Sequence, residues 1–199
     1  MNIVIIKYNA GNIMSVDYAL QRLGIKAMVT DDPDLIRSAD KVIFPGVGEA
    51  NTTMKYLSEK KLNLLIPDLK QPVLGICLGL QLMCKYSEEN DTPCMGIFEE
   101  MVRKFIPPGE NEEKLKVPHM GWNNIFNLKT DLFRGIAENE HVYFVHSYFA
   151  AAGKDTIAGC NYPETFSAAL HHHNFYATQF HPEKSGNAGS QILKNFIDL

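Results

Sequence analysis

The chain has 199 residues, of which 45% are hydrophobic and 21% charged, and its formal net charge is -4 at pH 7. This length suits one domain with a sizeable core, so we expect residues 1–199 to form a single domain. The acidic balance and the lack of a basic run argue against binding to nucleic acid or to an anionic membrane. No apolar run approaches the roughly 18 residues of a membrane span, and the segment 1–7 is too short for a signal-peptide core.

The four cysteines are spread along the chain and include no Cys-x-x-Cys pair. They are Cys77, Cys84, Cys94 and Cys160. This scattered cysteine pattern is typical of a protein in the reducing cytoplasm. Two disulfides are the alternative, but a core of this size does not need them.

Short apolar runs alternate with helical patterns through the first half of the chain. The predicted strands span residues 3–6, 25–29, 41–44 and 73–76. Four helices are predicted: one over about 16–23, a short one that begins at Asp32-Pro33, one over about 51–66 and one that begins at Leu78. Short connections between such elements indicate a doubly wound α/β fold, with a mostly parallel sheet flanked by helices.

The second half reads as short β-branched or aromatic strands before a last amphipathic helix. The predicted strands span 96–105, 123–126, 142–149, 156–161, 166–170 and 175–180, and the helix spans about 188–197. We interpret these strands as an antiparallel extension of the sheet. Residues 107–114 are typical of an exposed turn or loop.

Cys77 stands where the apolar strand 73–76 meets the helix that begins at Leu78. Gly75 and Gly79 flank it, and Gly-x-Cys-x-Gly matches a strand-to-helix nucleophile elbow with sulfur in place of oxygen. The glycines relieve crowding at a sharp turn, and the helix N-terminus favours a thiolate. The alternative is a small buried core cysteine.

His181 and Glu183 lie about a hundred residues further along, separated by Pro182. Residues two apart share one face of an extended segment, and Pro182 favours that conformation at His181. A carboxylate beside an imidazole can orient it toward a nucleophile, as the third member of a triad does. Alone, His-Pro-Glu reads as an ordinary surface tripeptide, but together with the elbow it predicts nucleophilic catalysis.

Three further segments have both a structural and a functional interpretation. The turn 45–48 could direct backbone N–H groups at an oxyanion or simply join a strand to a helix, and it lacks the Lys-Ser/Thr of a phosphate loop. The run 171–173 is all histidine, but without other ligands a solvated turn is favoured over a metal site. Segment 118–122 holds the only Trp, either a core residue or, in a loop, an interface residue.

These motifs together resemble the class I, triad-type glutamine amidotransferases. The segments 45–48, 118–123, 143–148 and 179–185 narrow the resemblance to glutaminase subunits of imidazole glycerol phosphate synthase. The similarity spans nearly the whole chain. The first loop departs from it, because Lys7-Tyr8-Asn9 stands where the family usually has Asp-Tyr-Gly.

The resemblance implies hydrolysis of L-glutamine to L-glutamate and ammonia through a γ-glutamyl thioester, with no metal or organic cofactor. It implies a (β/α)8 cyclase partner that receives the ammonia in histidine synthesis. It also implies a glutamine pocket lined by Gly48, Gln81, Glu89, His146, Ser147 and Tyr148. From the residues themselves we expect a catalytic triad of Cys77, His181 and Glu183, an oxyanion hole at Val47, Gly48 and Leu78, and a partner surface at Pro118, His119, Met120 and Trp122.

Two other functions compete with this interpretation. A freestanding Cys-His-Glu hydrolase on the same fold, such as a γ-glutamyl peptidase, would be fully active without a partner. A binding module that kept the fold without catalysis would be expected to lack a triad member, and all three are present.

Overall fold

The computed structural model describes residues 1–8, 12–106 and 116–199. The strands are β1 Ile3–Ile6, β2 Ala27–Thr30, β3 Lys41–Phe44, β4 Val73–Ile76, β5 Tyr86–Ser87, β6 Thr92–Pro93, β7 Met101–Lys104, β8 His119–Ile125, β9 Glu140–His146, β10 Tyr148–Ala150, β11 Thr156–Asn161, β12 Thr165–His172 and β13 Phe175–Thr178. The helices are α1 Ile13–Arg22, α2 Pro33–Ser38, α3 Ala50–Glu59, α4 Leu62–Asp68, α5 Leu78–Met83 and α6 Gly186–Asp198. Short 3-10 turns span Asp131–Phe133 and Pro182–Lys184.

A seven-stranded sheet forms the centre of the fold, in the order β11-β12-β13-β4-β3-β1-β2. The strands from β13 to β2 are parallel, whereas β11 and β12 pair antiparallel with their neighbours. This confirms the predicted mostly parallel sheet with an antiparallel extension. Because β13 lies directly beside β4, the residues that follow both strands meet at one edge of the sheet.

Both faces of the sheet are covered, and β1, which is apolar and buried at all four positions, shows how. Along β1, Ile3 and Ile5 join the core that contains α1 and α6, whereas Val4 and Ile6 join the core that contains α2 to α5. Successive strand residues point to opposite faces, so a continuous apolar run serves two cores. The short helix α2 begins where predicted, and the Asp32 side chain accepts hydrogen bonds from the N–H groups of Asp34 and Leu35.

The predicted helix over residues 51–66 is wrong in one respect, because it is two helices. Lys61 between them has a left-handed φ of 57° and ends the first helix. The change of direction lets Leu62, Leu65 and Ile66 bury their side chains. Helical spacing alone does not reveal such a break.

The second half differs more from the sequence prediction. The antiparallel pairs β8-β9 and the small sheet β10-β7-β5-β6 lie outside the central sheet. The predicted strand over 96–105 is limited to Met101–Lys104. The predicted loop at 118–122 is mostly strand, since β8 pairs with β9 along its whole length. The predicted loop over 107–114 lies outside the described residues.

Within the described part of the chain, no helix combines the length and the apolar character that crossing a membrane requires.

Candidate active site

The elbow at Cys77 is the centre of the site. Its backbone has φ 53° and ψ -106°, a conformation that L-residues rarely adopt, and its N–H donates to the Thr178 carbonyl at 2.7 Å. A Cβ on Gly79 would lie 2.1 Å from the Phe44 carbonyl oxygen, so this position has no room for a side chain. The crowding that the Gly-x-Cys-x-Gly pattern predicted is therefore present.

His181 and Glu183 form a buried pair beside the elbow. His181 Nδ1 lies 2.7 Å from Glu183 Oε1, and both side chains are inaccessible to solvent. His181 Nε2 makes no hydrogen bond with any residue that the structure describes. Glu183 therefore fixes one ring nitrogen and leaves the other available for proton transfer.

The charge state of His181 follows from its neighbours. Burial alone would lower its pKa, but the Cys77 thiolate and then the Glu183 carboxylate outweigh burial and raise the pKa to about 10. An imidazolium next to a thiolate is the reactive form of a cysteine nucleophile.

Three further residues belong to the site although the sequence did not single them out. Gln179 Nε2 lies 3.7 Å from Cys77 Sγ, and the Val145 carbonyl oxygen lies 3.8 Å from the same sulfur. The Asn12 amide donates to Glu183 Oε1. The two-residue spacing of Gln179 and His181 was a usable signal, because alternate residues of an extended segment share a face. Asn12 and Val145 carried no comparable signal.

A pocket with a volume of about 240 Å³ opens at Cys77. Every residue that lines it, apart from Val145, was expected to take part in catalysis or glutamine binding. The lining residues are Val47, Gly48, Cys77, Leu78, Gln81, Glu89, Val145, His146, Ser147 and Tyr148. The structure therefore brings the expected nucleophile, oxyanion turn and substrate residues together in one cavity.

One wall of this pocket carries a carboxylate. Glu89 is half-buried, and its Oε2 accepts a hydrogen bond from the Ala50 N–H at the start of α3, at 2.8 Å. Burial raises the pKa of Glu89 above its ordinary value, although the Ala50 N–H opposes this. A partly buried carboxylate in a pocket suits a ligand that brings its own positive charge, such as the α-ammonium group of an amino acid.

The turn 45–48 lies against the elbow, as expected, but its peptide groups do not form an oxyanion hole in this conformation. The Leu78 N–H donates to the Gly46 carbonyl at 3.3 Å. In a trans peptide the C=O and the following N–H point in opposite directions, so the Val47 N–H points away from Leu78. Tyr8, which is buried, donates its hydroxyl to the neighbouring Pro45 carbonyl.

The expected partner surface is only partly at the surface. Met120 is 62% exposed and Trp122 is 56% exposed, and Pro118 is also exposed. His119 is 3% exposed, so its side chain does not belong to this surface. The reason is the strand geometry of β8, in which successive side chains alternate between solvent and interior.

The three consecutive histidines do not form the solvated turn that we expected. His171 and His172 end β12, and only His173 lies in the turn. The His171 ring stacks on Tyr176 at 4.2 Å, and His172 Nδ1 lies 3.3 Å from Asp155 Oδ1. Over residues 1–8, 12–106 and 116–199, no group of three or more His, Cys, Asp or Glu side chains is placed to hold a metal ion.

Comparison with known proteins agrees with this geometry. Residues 4–199 match the family described as Glutamine amidotransferase class-I. The imidazole glycerol phosphate synthase subunit HisH of Bacteroides fragilis is 59% identical, with all of both chains covered. The subunit HisH of Haemophilus influenzae is 45% identical, and the match covers 100% of this chain and 98% of that one.

Among solved structures, a glutamine amidotransferase from Thermotoga maritima has a TM-score of 0.62 and 17% identity. The match covers 100% of this chain and 83% of that one. At this identity the likeness concerns the fold alone. The full-length sequence matches carry the assignment: the chain belongs to the class I glutamine amidotransferases, and within them to the family of the HisH subunits of imidazole glycerol phosphate synthase.

Proposed function

We propose that this chain is the glutaminase subunit of an imidazole glycerol phosphate synthase. It hydrolyses L-glutamine to L-glutamate and ammonia, and it passes the ammonia to a cyclase partner with a (β/α)8 barrel in histidine biosynthesis. The observation that carries the proposal is the pocket that opens at Cys77, beside the buried His181–Glu183 pair. The family assignment supports the substrate and the pathway. We further propose that residues 1–199 act as one amidotransferase domain.

The first half of the reaction forms a thioester. The Cys77 thiolate attacks the side-chain amide carbon of glutamine, and the carbonyl oxygen becomes an oxyanion. The imidazolium of His181 then gives its proton to the amide nitrogen, the C–N bond breaks and ammonia leaves. Glu183 holds the ring in position and stabilises its positive charge.

The second half returns the enzyme to its starting state. Water loses a proton to neutral His181 and attacks the thioester carbon. The C–S bond then breaks, glutamate leaves, and the Cys77 thiolate faces the His181 imidazolium again. The net reaction consumes one glutamine and one water and releases one glutamate and one ammonia.

The oxyanion needs donors that the observed turn does not yet supply. Rotation of the Gly46–Val47 peptide would release the Leu78 N–H and turn the Val47 N–H toward the oxyanion in one movement. Such donors typically contribute about 3 kcal/mol each to transition-state stabilisation. We therefore propose that the turn has a resting and an active arrangement, and that the occupied partner favours the active one.

The coupling to a partner has a chemical reason. Ammonia released into water is protonated and is then no longer a nucleophile, so uncoupled hydrolysis wastes glutamine. The exposed Trp122 and Met120 on β8 are suited to docking, because large, exposed aromatic and Met side chains are enriched at interfaces. The free thiols of all four cysteines support a reducing compartment, and we propose the cytoplasm.

A labelling experiment tests the nucleophile. An electrophilic analogue of glutamine should modify Cys77, as shown by peptide mass, and excess glutamine should protect it. Cys84 is the matched control, because it is fully buried in the core and burial raises the pKa of its thiol. Cys84→Ala should leave the labelling intact, whereas labelling at any cysteine other than Cys77 would contradict the assignment.

A further inference from the structure

His119 lies on the inner side of β8, although the residues next to it face solvent. Its ring stacks on those of Tyr162 and Phe144, with centroids 3.9 Å and 4.8 Å away. Its Nδ1 lies 3.1 Å from Nε2 of His146 on β9. A buried contact between two ring nitrogens is favourable only when one carries a proton and the other does not, so the tautomers of both rings must be defined.

The first constraint comes from the pocket. His146 Nδ1 lies 2.8 Å from the Tyr148 carbonyl oxygen, which can only accept a hydrogen bond. Nδ1 of His146 therefore carries the proton, and Nε2 of the neutral ring must accept from His119 Nδ1. Burial is the main cause that lowers the pKa of His146 to about 3 and that of His119 to about 4, so both rings are neutral at physiological pH.

The second constraint on the tautomers comes from Nε2, the other ring nitrogen of His119. Asn123 Nδ2 lies 3.3 Å from His119 Nε2 and 3.2 Å from the Asn161 carbonyl oxygen. Asn123 Oδ1 accepts from the Asn124 N–H at 2.9 Å. These two backbone partners fix the orientation of the amide, so His119 Nε2 must accept from it. Both ends therefore require the same tautomers. Asn123 donates to His119, His119 donates to His146, and His146 donates to the Tyr148 carbonyl.

The chain of hydrogen bonds ends at the wall of the proposed glutamine pocket. The Tyr148 carbonyl also accepts from Gln81 Nε2 at 2.8 Å, so both of its lone pairs are used inside the protein. His146 and Tyr148 line the pocket at Cys77 together with Ser147. His119, which does not line the cavity, is therefore connected to this wall through the proton that it donates to His146.

We propose that His119 is a positioning residue for glutamine: by holding His146 in its Nδ1–H tautomer, it fixes the Tyr148 carbonyl and the pocket wall formed by residues 146–148. The inference rests on the proposed glutaminase function. It also places a glutamine-positioning group on β8, three residues before the exposed Trp122.

Two substitutions separate the hydrogen bond from the packing. His119→Phe keeps an aromatic ring against Tyr162 and Phe144 but removes the donor to His146. His119→Asn loses the stacking but places an amide N–H where Nδ1 was. Asn123 keeps its bond to the Asn161 carbonyl in both variants. Circular dichroism and thermal unfolding confirm that each variant is folded.

The enzyme is assayed with its cyclase partner, and the His146 ring is observed separately by ¹⁵N NMR. We expect His119→Phe to raise the KM for glutamine about fivefold, the size of one lost neutral hydrogen bond, with kcat changed less than about twofold. We expect His119→Asn to restore most of the affinity. In His119→Phe, Nε2 of His146 loses its donor and can accept a proton, so its pKa should rise and glutamine binding should weaken at acidic pH. The titratable groups that face the two rings are His181 and the Tyr162 phenol.

The NMR measurement keeps this proposal separate from the proposed function. An unchanged Nδ1–H tautomer in His119→Phe, together with an unchanged KM, would overturn the role of His119. A loss of kcat alone would also overturn it. If the wild-type complex did not hydrolyse glutamine at all, the proposed function would fail, whereas the tautomer of His146 would still decide whether His119 controls it.

Discussion

At the scale of single residues, the proposed chemistry depends on the proton that His181 carries. Its pKa is raised to about 10 because the Cys77 thiolate and the Glu183 carboxylate outweigh burial. A folded-state pKa above the ordinary value means that the charged ring stabilises the fold fully below about pH 6.5. This contribution is lost as the pH rises toward 10.

A titration of His181 followed by NMR checks this charge state. We expect the wild-type ring to stay protonated through pH 8. Cys77→Ala removes the strongest influence that raises the pKa, and Glu183→Gln removes the next, so both variants should titrate at lower pH. Equal midpoints in the wild type and in Cys77→Ala would show that the thiolate does not hold the proton on His181.

The residues of the proposed triad had the clearest signals in the sequence. Cys77 is flanked by glycines, and His181 and Glu183 have a two-residue spacing, so local patterns were informative. His119 was placed on the partner surface because segment 118–122, which holds the only Trp, was predicted to be a loop. Its burial depends on the pairing of β8 with β9, which no local pattern of residues 118–122 reveals.

At the scale of elements, the elbow depends on the contact between α5 and the end of β3. Gly79→Ala would place a Cβ 2.1 Å from the Phe44 carbonyl oxygen, which belongs to the backbone and cannot rotate away. We expect a loss of about 3 kcal/mol or more in the free energy of unfolding, at the upper end for an overpacked position. Urea unfolding measures it.

Ser58→Ala is the control for that measurement. Ser58 is exposed on α3, so its replacement should change the free energy of unfolding by no more than about 0.5 kcal/mol. Equal stabilities of the two variants would mean that α5 can move away from β3 at no cost, which contradicts a rigid elbow.

Elements that depend on apolar runs were predicted well, and those that depend on pairing or on breaks were not. The short apolar runs in β1, β3 and β4 identify buried strands with correct bounds. The break at Lys61 and the length of β8 arise from tertiary packing. The orientation of the Gly46–Val47 peptide is also invisible in sequence, because glycine permits both arrangements.

At the scale of the whole molecule, one residue, Tyr143, connects the proposed docking surface to the backbone of His181. The Trp122 ring meets Tyr143 edge-on, with centroids 6.0 Å apart. The Tyr143 carbonyl accepts the His181 N–H at 2.9 Å, and the Tyr143 N–H donates to Ser185 Oγ, which in turn donates to the His181 carbonyl. Only Tyr143 would therefore separate a partner bound at Trp122 from the His181 backbone.

Trp122→Ala should weaken docking more than it harms the fold. Buried aromatic anchors at interfaces commonly contribute about 2 kcal/mol or more, so we expect Kd for the cyclase to rise about 30-fold or more. Calorimetric titration measures it. Met28→Ala is the control, because Met28 is also an exposed apolar residue but lies on β2 at the far edge of the sheet. A similar Kd for both variants would exclude Trp122 from the interface.

The most direct test of the proposed mechanism is glutamine hydrolysis by the purified chain, measured alone and with the cyclase bound to its own ligand. The observed turn occupies the Leu78 N–H with the Gly46 carbonyl, so we expect low activity alone. With the liganded partner we expect a rise of at least about tenfold, which corresponds to about 1.4 kcal/mol of barrier. Cys77→Ala should abolish the activity in both conditions. Full turnover by the chain alone, unchanged by the cyclase, would contradict the mechanism and identify a freestanding hydrolase instead.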